Sequence, residues 1–130
     1  MILRVALLLA AASQAFALPT VVILSTGGTI SGRHDPTRGA YLPAATAEEL
    51  VVAVLRLKEL AELRVDKIAA INGADMTVAI WIQLANRLQT LLAVPNIAGA
   101  IVTHGTNTIE ETAYFLDLVV FTGKPMKLPH

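Results

Sequence analysis

Cysteine is absent, aromatic residues make up only 5% of the 130-residue chain, and charged residues only 15%. Without thiols there are no disulfides and no thiolate metal sites, so the cysteine count says nothing about compartment. Ten Lys and Arg balance ten Asp and Glu. With no net charge and no basic block, the chain lacks what is needed to neutralise a phosphate backbone, and nucleic acid is not an expected partner. No internal repeat and no low-complexity segment is visible. What the chain has in abundance is aliphatic residues, with 55% of positions hydrophobic, in a length suited to one domain.

Part of that hydrophobicity lies at the N-terminus. Met1 to Ala17, MILRVALLLAAASQAFA, has one basic residue, Arg4, an apolar run from Val5 to Ala12, and Ala15-Phe16-Ala17 as a small-residue cleavage site. That order predicts a secretory signal peptide over 1–17. The uninterrupted run is well short of the roughly 20 residues that span a bilayer. A mature domain of residues 18–130, beginning at Leu18 and carrying one net negative charge after loss of Arg4, is therefore expected, with no membrane attachment after cleavage.

Along the mature chain, Thr20 to Leu24 is a continuous apolar run, as in a strand covered on both faces. Ser31 to Pro43 contains Gly32, Pro36, Gly39 and Pro43 and reads as a long polar loop carrying Tyr41. Thr46-Ala47-Glu48-Glu49 matches a capping box, predicting a helix that continues through Leu50, Val51, Val54 and Leu57. Leu63 to Ile71 fits a second strand, closed by Asn72-Gly73. From Thr77, Val78, Trp81, Ala85, Leu88 and Leu92 recur at helical spacing and predict a core-facing stripe. Ala98 to Val102 is a third strand, and Thr108-Ile109-Glu110-Glu111 a second capping box opening a helix through Ala113, Leu116 and Val120. Strands alternating with helices predict an α/β fold, a parallel sheet with flanking helices and right-handed crossovers.

In such sheets the binding crevice lies outside the carboxyl ends of the strands, so the loops after Leu24, Ile71 and Val102 are the ones to read. Thr26-Gly27-Gly28-Thr29 lacks the lysine of a phosphate loop and the order of a dinucleotide fingerprint. It is either an ordinary turn or a tight cradle that offers amides to an oxyanion and the Thr29 hydroxyl to a carbonyl. Thr106 and Asn107 either satisfy turn amides or bind a polar group before a helix N-terminus. Asp75, after Gly73 and Ala74, either caps the next helix or binds substrate. His104 reads as a hydrogen-bonded structural histidine, and no residue set has the spacing of a metal site.

Two stretches together, ILSTGGTISG at 23–32 and IVTHGTNTIEETAYFLDL at 101–118, resemble the N-terminal part of the bacterial type II L-asparaginase and glutaminase-asparaginase family. The resemblance runs from Leu18 to about Pro125. It implies a periplasmic or secreted amidohydrolase that converts asparagine and water to aspartate and ammonia, with no metal and no cofactor. It implies Thr29 as the nucleophile, Tyr41 as the loop tyrosine that assists it, and Thr106 as the second active-site threonine. Gly28, Gly73, Ala74, Asp75 and Asn107 fall at substrate-binding positions. The family forms homotetramers whose sites draw on loops of two subunits.

Three departures stand out. Asn107 replaces the aspartate usual after the second threonine, and Gly73-Ala74 replaces a Ser-Gln or Ser-Glu pair, which implies weakened or altered amino-acid recognition. The family continues well past this chain's end to supply a lysine and a partner-subunit glutamate. Met126 to His130 is too short and polar to complete the next strand, so a truncated form with little activity alone is expected. The alternatives are a noncatalytic remnant that binds an amino acid weakly, and an amidohydrolase with a different amide substrate.

Overall fold

The computed structural model describes residues 17–27, 32–37, 40–43 and 56–129. The expected leader up to Phe16, the loop residues Gly28 and Thr29, and the Thr46–Glu49 capping box lie outside the described residues.

Four parallel strands form the main sheet: β1 (Thr20–Gly27), β4 (Glu62–Ile71), β5 (Ile97–Thr103) and β6 (Met126–Lys127), in the order β4-β1-β5-β6. The apolar runs expected to be strands are strands. β1, however, extends three residues beyond Leu24, so Ser25, Thr26 and Gly27 belong to the sheet rather than to the loop after it. Three helices are described: a single turn, α1 (Leu57–Leu60), then α2 (Val78–Leu92) and α3 (Ile109–Val119). None of the described helices is long and apolar enough to cross a membrane.

Period-two alternation in the strands and period-3.6 repetition in the helices put the apolar side chains on a shared face. Val22 and Leu24 of β1, with Ala100 and Val102 of β5, face Leu84, Ala85, Leu88 and Leu92 of α2 and Leu116 of α3. Leu24, Leu84, Leu88, Val102 and Leu116 are completely buried. Each such leucine stabilises the fold by about 1.5–3 kcal/mol relative to an exposed one. The stripe differs from the periodic reading at its start: Val78 is exposed, and Trp81 is only half-buried.

Helix starts show where local patterns mislead. Thr77, not Asp75, caps α2, its hydroxyl accepting from the Ile80 amide at 3.3 Å. Asp75 instead lies in a 3₁₀ turn, Gly73–Asp75, with its side chain exposed. Thr108 stands at the N-cap of α3, but its hydroxyl makes no capping bond. It donates to the Gly73 carbonyl at 2.6 Å, so the second capping box does not form as expected.

Two further expectations are corrected. The described residues of the segment 31–43 do not form an irregular loop. β2 (Gly32–Asp35) and β3 (Ala40–Pro43) pair antiparallel, with His34 opposite Tyr41, across a turn that begins at Pro36. Asp-Pro favours turn initiation, and strands of four residues are too short to show a period. The segment after Pro125 does enter the sheet, as the two-residue β6 beside Ala100 and Ile101. The Ala100 amide donating to the Pro125 carbonyl at 3.0 Å starts that pairing.

Candidate active site at the strand ends

Because β1, β4 and β5 run parallel, their carboxyl ends at Gly27, Ile71 and Thr103 share one edge. Three contacts tie these ends to one another. Thr26 is 1% exposed, and its hydroxyl donates to the Thr103 carbonyl at 2.9 Å, joining β1 to β5. Gly27 has a φ of +99° and abuts the last residue of β4, so that a Cβ there would lie 2.6 Å from the Ile71 carbonyl oxygen. Thr108 to Gly73 then joins the segment after β5 to the one after β4. Gly73 is buried against the backbone of Gly105, so the two 3₁₀ turns, Gly73–Asp75 and Thr106–Thr108, pack side by side.

On this frame the expected site residues are placed as follows. Thr106 and Asn107 occupy the exposed part of their turn, one residue beyond the buried Gly105. Ala74 and Asp75 are exposed on the neighbouring turn, and Gly73 is buried beneath it. Thr106, Asn107, Gly73, Ala74 and Asp75 are thus brought to one edge. Tyr41 lies on β3, in the hairpin between β1 and β4. Gly28 and Thr29 lie outside the described residues, directly after Gly27. A cavity of about 320 Å³ opens beside Thr106, lined by Ile109, Glu110, Ala113 and Leu128. A second, of about 350 Å³, lies between β4 and α2, where Arg87 is already paired with Asp66.

Sequence reasoning missed the bracing residues. Thr26 and Thr108 read as loop and cap, yet each donates to a carbonyl more than 30 residues away. Thr103 Oγ1 is a buried polar atom without a hydrogen-bond partner among the described residues, at the point where the Thr106 segment departs. His104 is buried and hydrogen-bonded through both ring nitrogens, consistent with the structural role read for it.

The family model for the N-terminal part of asparaginases matches residues 20–128, which covers every strand and helix described above. The chain belongs to the asparaginase family. It is 41% identical over 123 residues to L-asparaginase 2 of Escherichia coli strain K12, a match that takes in 93% of this chain and 35% of the relative. It is 37% identical over 113 residues to the probable periplasmic L-asparaginase of Haemophilus influenzae, taking in 85% of this chain and 32% of that one. The crystal structure of a probable cytoplasmic L-asparaginase from Campylobacter jejuni superposes with a TM-score of 0.73 at 38% identity, over 84% of this chain and 31% of that one. The chain therefore spans about a third of the length of these asparaginase relatives. Their names place asparaginases in more than one compartment.

Asparaginase kinship also frames the Gly73 position. A side chain there would bring Cβ to 3.0 Å from the Gly105 backbone, and backbone cannot swing aside as a flexible side chain would. Gly73→Ser is expected to lower stability by about 1–3 kcal/mol. Urea denaturation of the wild type and the variant checks this.

Proposed function

We propose that this chain carries the threonine-bearing part of an L-asparaginase-type site, which hydrolyses the side-chain amide of asparagine to aspartate and ammonia. The observation that carries the reading is the tie between Thr26 and the Thr103 carbonyl. Thr29 lies three residues beyond Thr26, and Thr106 three residues beyond Thr103. Three residues reach at most about 11 Å, so neither threonine can lie farther than that from its end of the tie. A single amide between them is a geometry that the tie supports.

A threonine hydroxyl is a weak nucleophile, and two hydroxyls directed at one carbonyl answer that weakness. In the proposed reaction the Thr29 oxygen attacks the amide carbon, its proton passing to a neighbouring base. Backbone amides after Gly27 stabilise the oxyanion. Ammonia leaves, and water then cleaves the ester to give aspartate and free threonine. Tyr41, on the hairpin that follows the nucleophile turn, closes over substrate and excludes water. Asp75, Ala74, Gly73 and Asn107 contact the amino and carboxylate ends of the amino acid. Gly73, Ala74 and Asn107 offer it no charge, so recognition rests more heavily on Asp75.

The chain spans about a third of its relatives' length. We expect the 130 residues by themselves to turn over far more slowly than full-length relatives, and the complete enzyme to assemble as a homotetramer. The leader read at Met1–Ala17 assigns the mature protein to the periplasm or the exterior, and the mass of the exported product is expected to start at Leu18. Ammonia release from asparagine and glutamine by the purified chain tests the activity. The expected result is slow, asparagine-dependent release. Weak asparagine binding with no release would favour the noncatalytic reading, and release that persists in both Thr29→Ala and Thr106→Ala would refute the site assignment.

A further inference from the structure

The chemistry above leaves His104 unused, although it is only 3% exposed and sits immediately before the Gly105-Thr106 peptide. Its ring is part of an unbroken run of hydrogen bonds. Trp81 of α2, the only tryptophan, donates its indole N–H to Thr112 Oγ1 of α3 at 2.7 Å. Thr112 Oγ1 lies 2.8 Å from His104 Nε2, and His104 Nδ1 lies 2.7 Å from the Gly105 carbonyl oxygen.

The two ends determine the direction of the whole run, because an indole N–H only donates and a carbonyl only accepts. The carbonyl end requires the ring proton on Nδ1, and with a single ring proton Nε2 is bare, so Thr112, which accepts from Trp81, gives its own hydroxyl proton to Nε2. The ring carries its proton on Nδ1 and gives it to Gly105. Every member then donates once, and no polar atom in the run is left over. The far end is anchored in the helix interface: Thr112 is fully buried, and Trp81 stacks on Phe115 with ring centroids 5.4 Å apart.

The carbonyl held in this way belongs to the peptide that joins Gly105 to Thr106. A peptide is planar, so holding its oxygen also orients the Thr106 N–H, which opens the 3₁₀ turn. Gly105 has no side chain through which packing could do the same. The geometry points to His104 as a positioning residue, locked as the Nδ1–H tautomer, that transmits the packing of α2 on α3 to the Thr106 turn. That the turn meets substrate rests on the amidohydrolase reading; the tautomer and the hold on Gly105 do not.

Two-bond ¹H–¹⁵N spectra of the labelled chain, with the variants His104→Asn and His104→Gln, test the assignment. The amide nitrogen of Asn matches the place of Nδ1 but falls short of Thr112, whereas that of Gln reaches toward Thr112 and loses Gly105. The wild-type ring is expected to show a protonated Nδ1 and a bare Nε2. His104→Asn is expected to keep the Thr106 and Asn107 amide signals near their wild-type positions and to move the Trp81 indole signal, and His104→Gln to do the reverse. A ring protonated on Nε2, alone or together with Nδ1, overturns the proposal, as does equal displacement of the Thr106 signal in both variants. Should neither variant fold, the wild-type tautomer decides. An Nδ1–H ring with Asn rescue but no ammonia release from asparagine would overturn the amidohydrolase reading and leave the positioning role standing.

Discussion

Gly27→Ala is expected to destabilise the chain by about 2–6 kcal/mol, a large fraction of the roughly 5–15 kcal/mol that holds an ordinary domain together. Two costs combine at this position. A side chain in the left-handed region at φ +99° is strained by about 1–3 kcal/mol. The added Cβ also meets the Ile71 carbonyl oxygen at 2.6 Å and the Ile71 amide nitrogen at 2.7 Å, an overpacking of about 1–3 kcal/mol. Both neighbours are backbone, so relief requires β1 and β4 to part at the irregularity already present between Ser25 and Gly27. Thermal melting followed by circular dichroism checks this. A variant that melts within a degree or two of the wild type would show that the strand ends are looser than the contact implies.

The second large effect is on turnover. Thr29→Ala removes the proposed nucleophile, and a loss on the order of 10³-fold or more in ammonia release is expected, as for other enzymes stripped of theirs. Thr106→Ala removes the second hydroxyl and is expected to cost about 10²–10³-fold, the scale of losing one stabilising donor. The two losses should not add, because groups that act on one carbonyl fail together. Thr106→Ala is not expected to move the unfolding midpoint much, since Thr106 is exposed and outside the core. Parallel urea curves separate lost chemistry from lost structure.

Much of the fold was legible because the patterns that signal it are local and repeated. Continuous aliphatic runs marked β1 and β5, β-branched residues marked β4, and the spacing of Ala85, Leu88 and Leu92 marked the buried face of α2. The hairpin was not legible, because each strand has four residues and Pro36 and Gly39 read as loop punctuation. Helix starts failed for a different reason. Asp75 and Thr77 are both good caps, and only the three-residue step from Thr77 to the Ile80 amide decides between them. Thr108 has the cap sequence, but its hydroxyl is claimed by Gly73, 35 residues earlier. No local pattern reveals such a partner.

The candidate site divides along the same line. The loops after the strands offered Thr106, Asn107 and Asp75 as either turn and cap residues or site residues, the family resemblance added Gly73 and Ala74, and all five gather at one edge of the sheet. What sequence reasoning did not supply is the bracing that holds that edge. Thr26 looked like part of a glycine-rich turn, whereas it is a buried strand residue that fastens β1 to β5. The Trp81–Thr112–His104 run was equally hidden, since its members come from two helices and the loop between strand and helix. Such long-range polar contacts carry no periodic signal.

The central claim is that Thr29 is the nucleophile of an amide hydrolase, and covalent capture tests it without depending on fast turnover. The chain is incubated with an electrophilic asparagine analogue that carries a diazo ketone in place of the side-chain amide, digested, and the adduct located by mass spectrometry. The account predicts an adduct on Thr29 that is suppressed by excess aspartate and absent from Thr29→Ala. Labelling at another residue, or labelling that aspartate does not suppress, would contradict it.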